Sequence, residues 1–296
     1  MKVIETQNLT KFYGKARGII DMNLSVESGD RFGFIGPNGA GKSTTIRTLL
    51  GLIAPTAGHA RILGMDIHSD KVEILSKIGY MPSESMFYRS MRVEEILNMS
   101  AALHGKSCRD EARHLCDRFK LDTKKKVDEL SLGNRKKVSI VCAFMHKPEL
   151  YILDEPTSGL DPLMQKSFFE LIHERNAEGA TIFLSSHVLS EIQHHCDHAA
   201  IIREGRLIAC DSVENLSDTK TRQITLHGIS VPPQLSSIKN ISRTENSVSF
   251  LYDGDINCLI SELNRLTLTD ITITEPDLEE IFLHYYAKEQ SGDMSS

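Results

Sequence analysis

No apolar run in the 296-residue chain approaches the length of about 20 residues that a bilayer-spanning helix needs; YILDE and TIFLSS are each broken by charge or hydroxyl groups within a few positions. The sequence therefore offers no membrane span of its own. The start MKVIETQNLT lacks the basic flank, apolar middle and small-residue cleavage site of a secretory leader, so a cytoplasmic protein is expected. The 6 cysteines, at 108, 116, 142, 196, 210 and 258, form no CxxC pair and are too sparse for a disulfide-stapled domain; they read as reduced thiols. An excess of positive charge is missing too. A formal net charge of -6 gives no footing on a phosphate backbone, so no nucleic-acid partner is expected, and the short patches KKK (124–126) and KTRQ (220–223) read as solvated faces.

What is present is a globular composition, 40% hydrophobic and 25% charged, on a chain long enough for one domain of about 200 residues and a smaller one. Residues 3–12 and 18–26 read as strands around the turn YGKA, and DRFGFIG as a strand running into a glycine-rich turn, followed by the helix STTIRTLLGLI. Residues 84–145 turn mostly helical and read as an inserted lobe. Then ELYILDE (strand), LMQKSFFELIHERNAEG (helix), TIFLSS (strand), VLSEIQHHCDHA (helix) and AAIIREG (strand) alternate, which predicts a mostly parallel sheet covered by helices. The texture shifts near 215. TRQITLHGI, a turn at Pro232 and Pro233, NSVSFLYDG, the helix INCLISELNRL, LTDITITE and the helix PDLEEIFLHYY predict a small α+β domain over 216–296, with Leu278, Ile281, Phe282 and Tyr285 on one helix face and a frayed end at KEQSGDMSS.

GPNGAGKST, residues 36–44, fits G-x-x-x-x-G-K-[ST] between a predicted strand and a predicted helix. Gly36, Gly39 and Gly41, with Pro37, Asn38 and Ala40 between them, allow backbone N–H groups to turn inward on an anion at the positive end of the helix. Lys42 is placed to reach the β- and γ-phosphates, the Ser43 hydroxyl to ligate Mg²⁺, and Thr44 continues the cradle; ATP or GTP binding follows. ELYILDEP delivers Asp154 and Glu155 at the end of an apolar strand. Two adjacent acids there are poor core residues but suit Mg²⁺ (Asp154) and polarisation of an attacking water (Glu155). His187, just after TIFLSS, is placed to hydrogen-bond the γ-phosphate.

In this order the segments resemble the ATP-binding cassette family, specifically the ATPase subunit of an ABC transporter, over residues 1–215. The resemblance implies an α/β P-loop NTPase core with a mostly parallel sheet, an inserted helical lobe at 84–145, and a C-terminal accessory domain of the kind found beside exporter-type permeases. It assigns Tyr13 to adenine stacking, Asp154 to Mg²⁺, Glu155 to the general base, His187 to the switch histidine, and SGLD (158–161), with Asp161, to the loop coupling two sites of a dimer. LSLGN (130–134) matches the signature, contributed in trans, through Ser131 and Gly133. The partners implied are a separate transmembrane permease and a second ABC ATPase subunit, identical or different. The location implied is the cytoplasmic face of the membrane, and the function is ATP-driven transport, expected to be export.

Two departures bear on turnover. Leu132 and Asn134 stand where the signature has glycine and glutamine, for which a loss on the scale of one impaired hydrogen bond, about 1 kcal/mol, is expected. Ser83 stands where the family has a glutamine that touches Mg²⁺ and the attacking water; its hydroxyl is too short for that span unless water intervenes or Glu84 moves in. The expectation is a slow, competent ATPase. The alternatives are an ATP-binding regulatory subunit in an unequal pair, and a soluble relative acting on ribosomes or DNA, which the single cassette and the lack of a long heptad run disfavour. His194, His195, Cys196 and His198, and likewise His104, Cys108, His114 and Cys116, read as helix packing and surface groups rather than metal sites. MFYRSM (86–91) reads as a permease contact, with local packing as the alternative.

Overall fold

The computed structural model describes residues 1–105, 108–217, 222–233, 235 and 237–274. Within them the chain divides into two compact units, Met1–Val213 and the residues from Glu214 onward.

In the first unit, β1 (Lys2–Tyr13), β2 (Ala16–Met22) and β3 (Ser25–Glu27) open an antiparallel sheet in which β1 pairs with both of the others. The single strand expected over 18–26 is therefore two. The break follows from Asn23, whose side chain bonds Asn8 instead of continuing a ladder. β4 (Arg31–Ile35) leads to α1 (Lys42–Leu49), after which β5 (Ala57–Ile62) and β6 (Met65–Asp66) complete the antiparallel sheet in the order β2-β1-β5-β6. α2 (Lys71–Lys77) and β7 (Ile78–Met81) precede the lobe, whose helices are α3 (Val93–His104), α4 (Arg109–Arg118) and α5 (Leu132–Phe144). Residues 84–92 are not helical, so the lobe's helices start later than expected; the Arg92 amide donates to the Glu95 carboxylate and opens α3. β8 (Leu150–Asp154), α6 (Pro162–Ala177), β9 (Thr181–Ser186), α7 (Leu189–His195), β10 (His198–Arg203) and β11 (Arg206–Ser212) finish the unit, with α8 (Val213–Ser217) at its boundary.

The central sheet runs β11-β10-β4-β9-β8-β7, parallel except for the edge strand β11. Every residue of β8 and β9 is buried, as continuous apolar strands covered on both faces must be. α1 packs on β8, α5 on β7, α6 on β9, and α7 on β4 and β9. Phe32 stacks on Phe183 with ring centroids 5.9 Å apart, locking β4 to β9 inside the core.

α7 ends at His195, earlier than the sequence suggested, because Arg31 claims the next turn through its ion pair with Asp197. His198 is accordingly a strand residue, with His194 and His195 on α7 and Cys196 between the two elements. No group of three or more His, Cys, Asp or Glu able to hold a metal occurs among the described residues.

In the second unit, β12 (Arg222–His227), β13 (Ile238–Arg243), β14 (Ser247–Tyr252), α9 (Ile256–Leu263) and β15 (Asp270–Thr274) form an antiparallel sheet in the order β13-β14-β12-β15 plus one helix. Alternation puts Ile224 and Leu226 opposite Phe250 and Val248 in a core shared with Leu259 of α9. Asp255 caps α9 by accepting from the amides of Asn257 and Cys258. The expected terminal helix and tail, 276–296, lie outside the described residues.

The packing around His195 makes a pH prediction. Its ring stacks on Phe169 at 3.6 Å, its Nδ1 meets His173 Nε2 at 3.1 Å, and His173 Nδ1 accepts from Arg31 at 2.6 Å. Desolvation first, then the neighbouring His173, His194 and Arg31, push the His195 pKa from 6.5 down to about 4. Between those values the unfolded chain binds the extra proton, so stability falls as pH drops from 6.5 towards 4. His195→Leu is expected to flatten the fall of the thermal midpoint of the nucleotide-free protein across that window; an unchanged slope would contradict the assignment.

Candidate functional site

The strands β4, β8 and β9 lie side by side, and their carboxyl ends carry the loop at 36–44, Asp154 with Glu155, and Ser185 to His187 respectively. In an open α/β sheet this is the edge where ligands bind. At Gly36 an added Cβ would lie 2.4 Å from the Ile202 carbonyl oxygen, so only glycine lets the loop leave β4 so close to β10. Gly41 caps α1 at φ 113, a left-handed conformation, with no side chain satisfying the first-turn amides; they face the loop as an anion cradle. Ser43 and Thr44 follow in that first turn, half-buried, while Pro37, Asn38 and Gly39 form the exposed rim and Ala40 is buried beneath it.

Lys42 is only 5% exposed, and its ammonium has three partners: Gly36 O at 2.6 Å, Pro37 O at 3.2 Å and Glu155 Oε1 at 3.0 Å. The other oxygen of Glu155 lies 3.2 Å from His187 Nδ1. Glu155 itself is held at φ 46, a conformation that costs a non-glycine residue of the order of 1 kcal/mol and is kept here by its amide bonding both the carbonyl and the hydroxyl of Ser185. The same hydroxyl donates to Asp154 Oδ1 at 2.7 Å. Ser185 thus fixes both acids at once, a role invisible in TIFLSS, where it reads as one more strand residue.

Asp154 is fully buried, and its Oδ2 has no hydrogen-bond partner. A buried carboxylate oxygen without a partner is costly. With the Ser43 hydroxyl on α1, the helix that packs on β8, this donor set fits Mg²⁺, which takes one or two carboxylate or hydroxyl ligands and completes its octahedron with phosphates and water.

The remaining expected residues are distributed around this centre. Tyr13, at the end of β1, is half exposed, with the Lys11 ammonium 5.4 Å from its ring centroid. Ser131 caps α5, accepting from the Asn134 amide at 3.3 Å. The Leu132 side chain is 67% exposed and lies over Gly159; the tightest approach is at Gly133, where a Cβ would sit 2.9 Å from the Gly159 carbonyl oxygen. The Asp161 carboxylate is engaged in the chain itself, capping α6 by accepting from the Met164 amide at 3.0 Å, with Pro162 at the first helical position. The Ser83 hydroxyl is not what anchors its segment. Its carbonyl accepts from Lys136 Nζ at 2.8 Å, and Glu84 is exposed. Lys136, 2% exposed, was not singled out in the sequence, where it is one of three consecutive basic residues at the start of a predicted helix. Burial pushes its pKa down to about 8, against the attraction of Asp154 and Glu155.

A glycine-rich cradle, a buried lysine, and paired acids at adjacent parallel strand ends define a P-loop nucleoside-triphosphatase. The model of the ABC transporter family matches residues 19–158. The bacitracin transport ATP-binding protein BcrA of Bacillus licheniformis is 36% identical over 95% of this chain and 96% of its own. The linearmycin resistance ATP-binding protein LnrL of Bacillus subtilis is 29% identical over 95% and 97%. A solved ATP-binding subunit of an ABC transporter superposes with a TM-score of 0.69 at 33% identity, over 72% of this chain and 91% of that one. The chain belongs to the ABC transporter family, as an ATP-binding and ATP-hydrolysing subunit.

The orphan oxygen of Asp154 generates a test. Asp154→Asn keeps an acceptor for Ser185, so the fold is expected to survive, while the gain in ATP affinity on adding Mg²⁺ disappears. Titration calorimetry with and without Mg²⁺ reads this directly; a variant that retains the full Mg²⁺ effect would remove Asp154 from the metal site.

Proposed function

We propose that this subunit powers export of an antimicrobial compound through a separate membrane permease, hydrolysing Mg²⁺-ATP at sites shared between two ATPase subunits. The observation that carries the reading is the meeting of Lys42, Glu155 and His187 beside a buried Asp154 with a free oxygen. The class of cargo is suggested by the names of the relatives, bacitracin transport and linearmycin resistance.

Adenine would stack on Tyr13, and the phosphates would lie along residues 36–44. There Lys42 has phosphate oxygens as acceptors in competition with Glu155, so nucleotide binding loosens the Lys42–Glu155 pair and leaves the carboxylate to a water molecule. Ser43 and Asp154 would hold Mg²⁺, which when bound neutralises phosphate charge and orients the γ-phosphoryl group. Glu155 takes the proton of the attacking water as its oxygen bonds the γ-phosphorus, the bond to the β-bridging oxygen breaks, and the electron pair leaves with ADP. His187, already on Glu155, keeps that carboxylate aligned and donates to the γ-phosphate.

Ser131 and Gly133 begin α5 with its positive end outward, and they would close over the nucleotide held by the second subunit. Asp161 stands in the loop that packs on Gly133, and so would couple the two sites by positioning this helix start rather than by touching ATP. No helix among the described residues is long and apolar enough to cross a membrane, and in this reading closure of the pair would act on a separate permease. Met86 and Tyr88, both exposed, are the contact we assign to it, with the protein held peripherally on the cytoplasmic face.

Complementation tests the shared site. Lys42→Ala and Ser131→Arg are each expected to abolish turnover alone. Mixed, they assemble one intact site from two chains, and on the order of a quarter of wild-type ATPase should return if the chains pair at random. A mixture as inactive as its components would contradict the trans arrangement.

A further inference from the structure

Lys136 is a buried cation without an ion pair among the described contacts, which is unusual enough to require a reason. It lies on α5, about one turn past Ser131 and Gly133. Its ammonium reaches across to the Ser83 carbonyl at 2.8 Å. One turn further along the same helix, Ser139, also buried, donates through its hydroxyl to Ser85 Oγ at 2.7 Å. Two side chains of α5 therefore grip alternate residues of the segment that leaves β7, the strand paired with β8, whose end carries Asp154.

A merely structural grip on a loop would not need a charged group. Burying an ammonium is costly, and a neutral donor or an apolar side chain of the same length would pack at lower cost. What the ammonium adds is a charge-assisted bond to the Ser83 carbonyl, on a side chain whose backbone belongs to the helix proposed to serve the neighbouring subunit.

We infer that Lys136 is a positioning residue for ATP hydrolysis: it ties residues 83–85 to α5, so that the segment beside the chain's own Asp154 and Glu155 and the helix start at Ser131 and Gly133 move as one body. A displacement of α5 on contact with the second subunit's nucleotide is thereby transmitted to the first subunit's own acids. The kinetic part of this inference rests on the function proposed above; the mechanical tie between α5 and residues 83–85 does not.

The test uses the full-length chain carrying Lys136→Met, which keeps length and packing but removes both charge and donor, with Lys136→Arg as the conservative control. Hydrogen exchange of the nucleotide-free protein is expected to rise about tenfold at residues 82–86 while the rest of the first unit and the thermal midpoint hold. In steady-state assays kcat should fall about tenfold or more with KM for ATP within about twofold, since misplacement of the acids acts on the chemical step and not on binding. Lys136→Arg should recover most of kcat. Exchange at 82–86 and kcat both unchanged would overturn the inference, as would a loss of kcat that tracks a general loss of protection and of thermal midpoint. If Lys136→Met fails to fold, Ser139→Ala decides by the same two readouts, with increased exchange at 82–86 and lower kcat expected. A wild-type chain that does not hydrolyse ATP would refute the proposed function, and the exchange result alone would then decide on the tie.

Discussion

One buried ammonium organises this molecule. Lys42 sits at the first turn of α1 with almost no solvent contact, and its charge is balanced by two loop carbonyls and Glu155. A lysine left uncompensated there would cost several kcal/mol, so the loop, the acid and the helix must be where they are for the site to exist. The central sheet meets that demand by placing β4 next to β9 and β9 next to β8, which brings the ends of three strands that are far apart in sequence to one edge. Ser185, on the middle strand, then fixes Asp154 and the strained Glu155 with a single hydroxyl.

The same constraint explains how the site can act. Every acceptor on Lys42 is one that phosphate oxygens can outbid, and the one side-chain acceptor is the proposed base. Binding of nucleotide and release of Glu155 are thus opposite sides of one exchange of partners. The lobe joins in through α5, whose start carries Ser131 and Gly133 and whose next turns hold residues 83–85 through Lys136 and Ser139.

The parts legible in the sequence were those whose chemistry is local. The spacing of Gly36, Gly41, Lys42 and Ser43, the apolar run ending in Asp154 and Glu155, and the alternation of strands and helices after 145 all follow from short-range rules. Asp161 followed by Pro162 carried a helix-start signal that was open to reading as such, and the structure places it there. What stayed hidden depends on tertiary packing. Of the antiparallel sheet only the first strands were read; β5 was missed because few of its residues are buried, β6 because it is two residues long, and β13 because its residues are largely exposed. Leu132 lies over Gly159 while largely exposed, and the closest backbone approach falls on its neighbour Gly133, a distinction that LSLGN does not carry. Lys136 is the sharpest case: in a basic run only the fold decides which lysine turns inward.

The central claim is that Glu155 of this chain is the base that drives turnover, so the most direct measurement compares ATP hydrolysis by the native membrane complex with wild-type chain and with Glu155→Gln, at matched ATP occupancy. The account predicts that the variant binds ATP at least as well, because Lys42 loses a competing carboxylate, and turns over about a hundredfold or more slowly. Equal hydrolysis by both would contradict it and assign the observed turnover to a partner subunit.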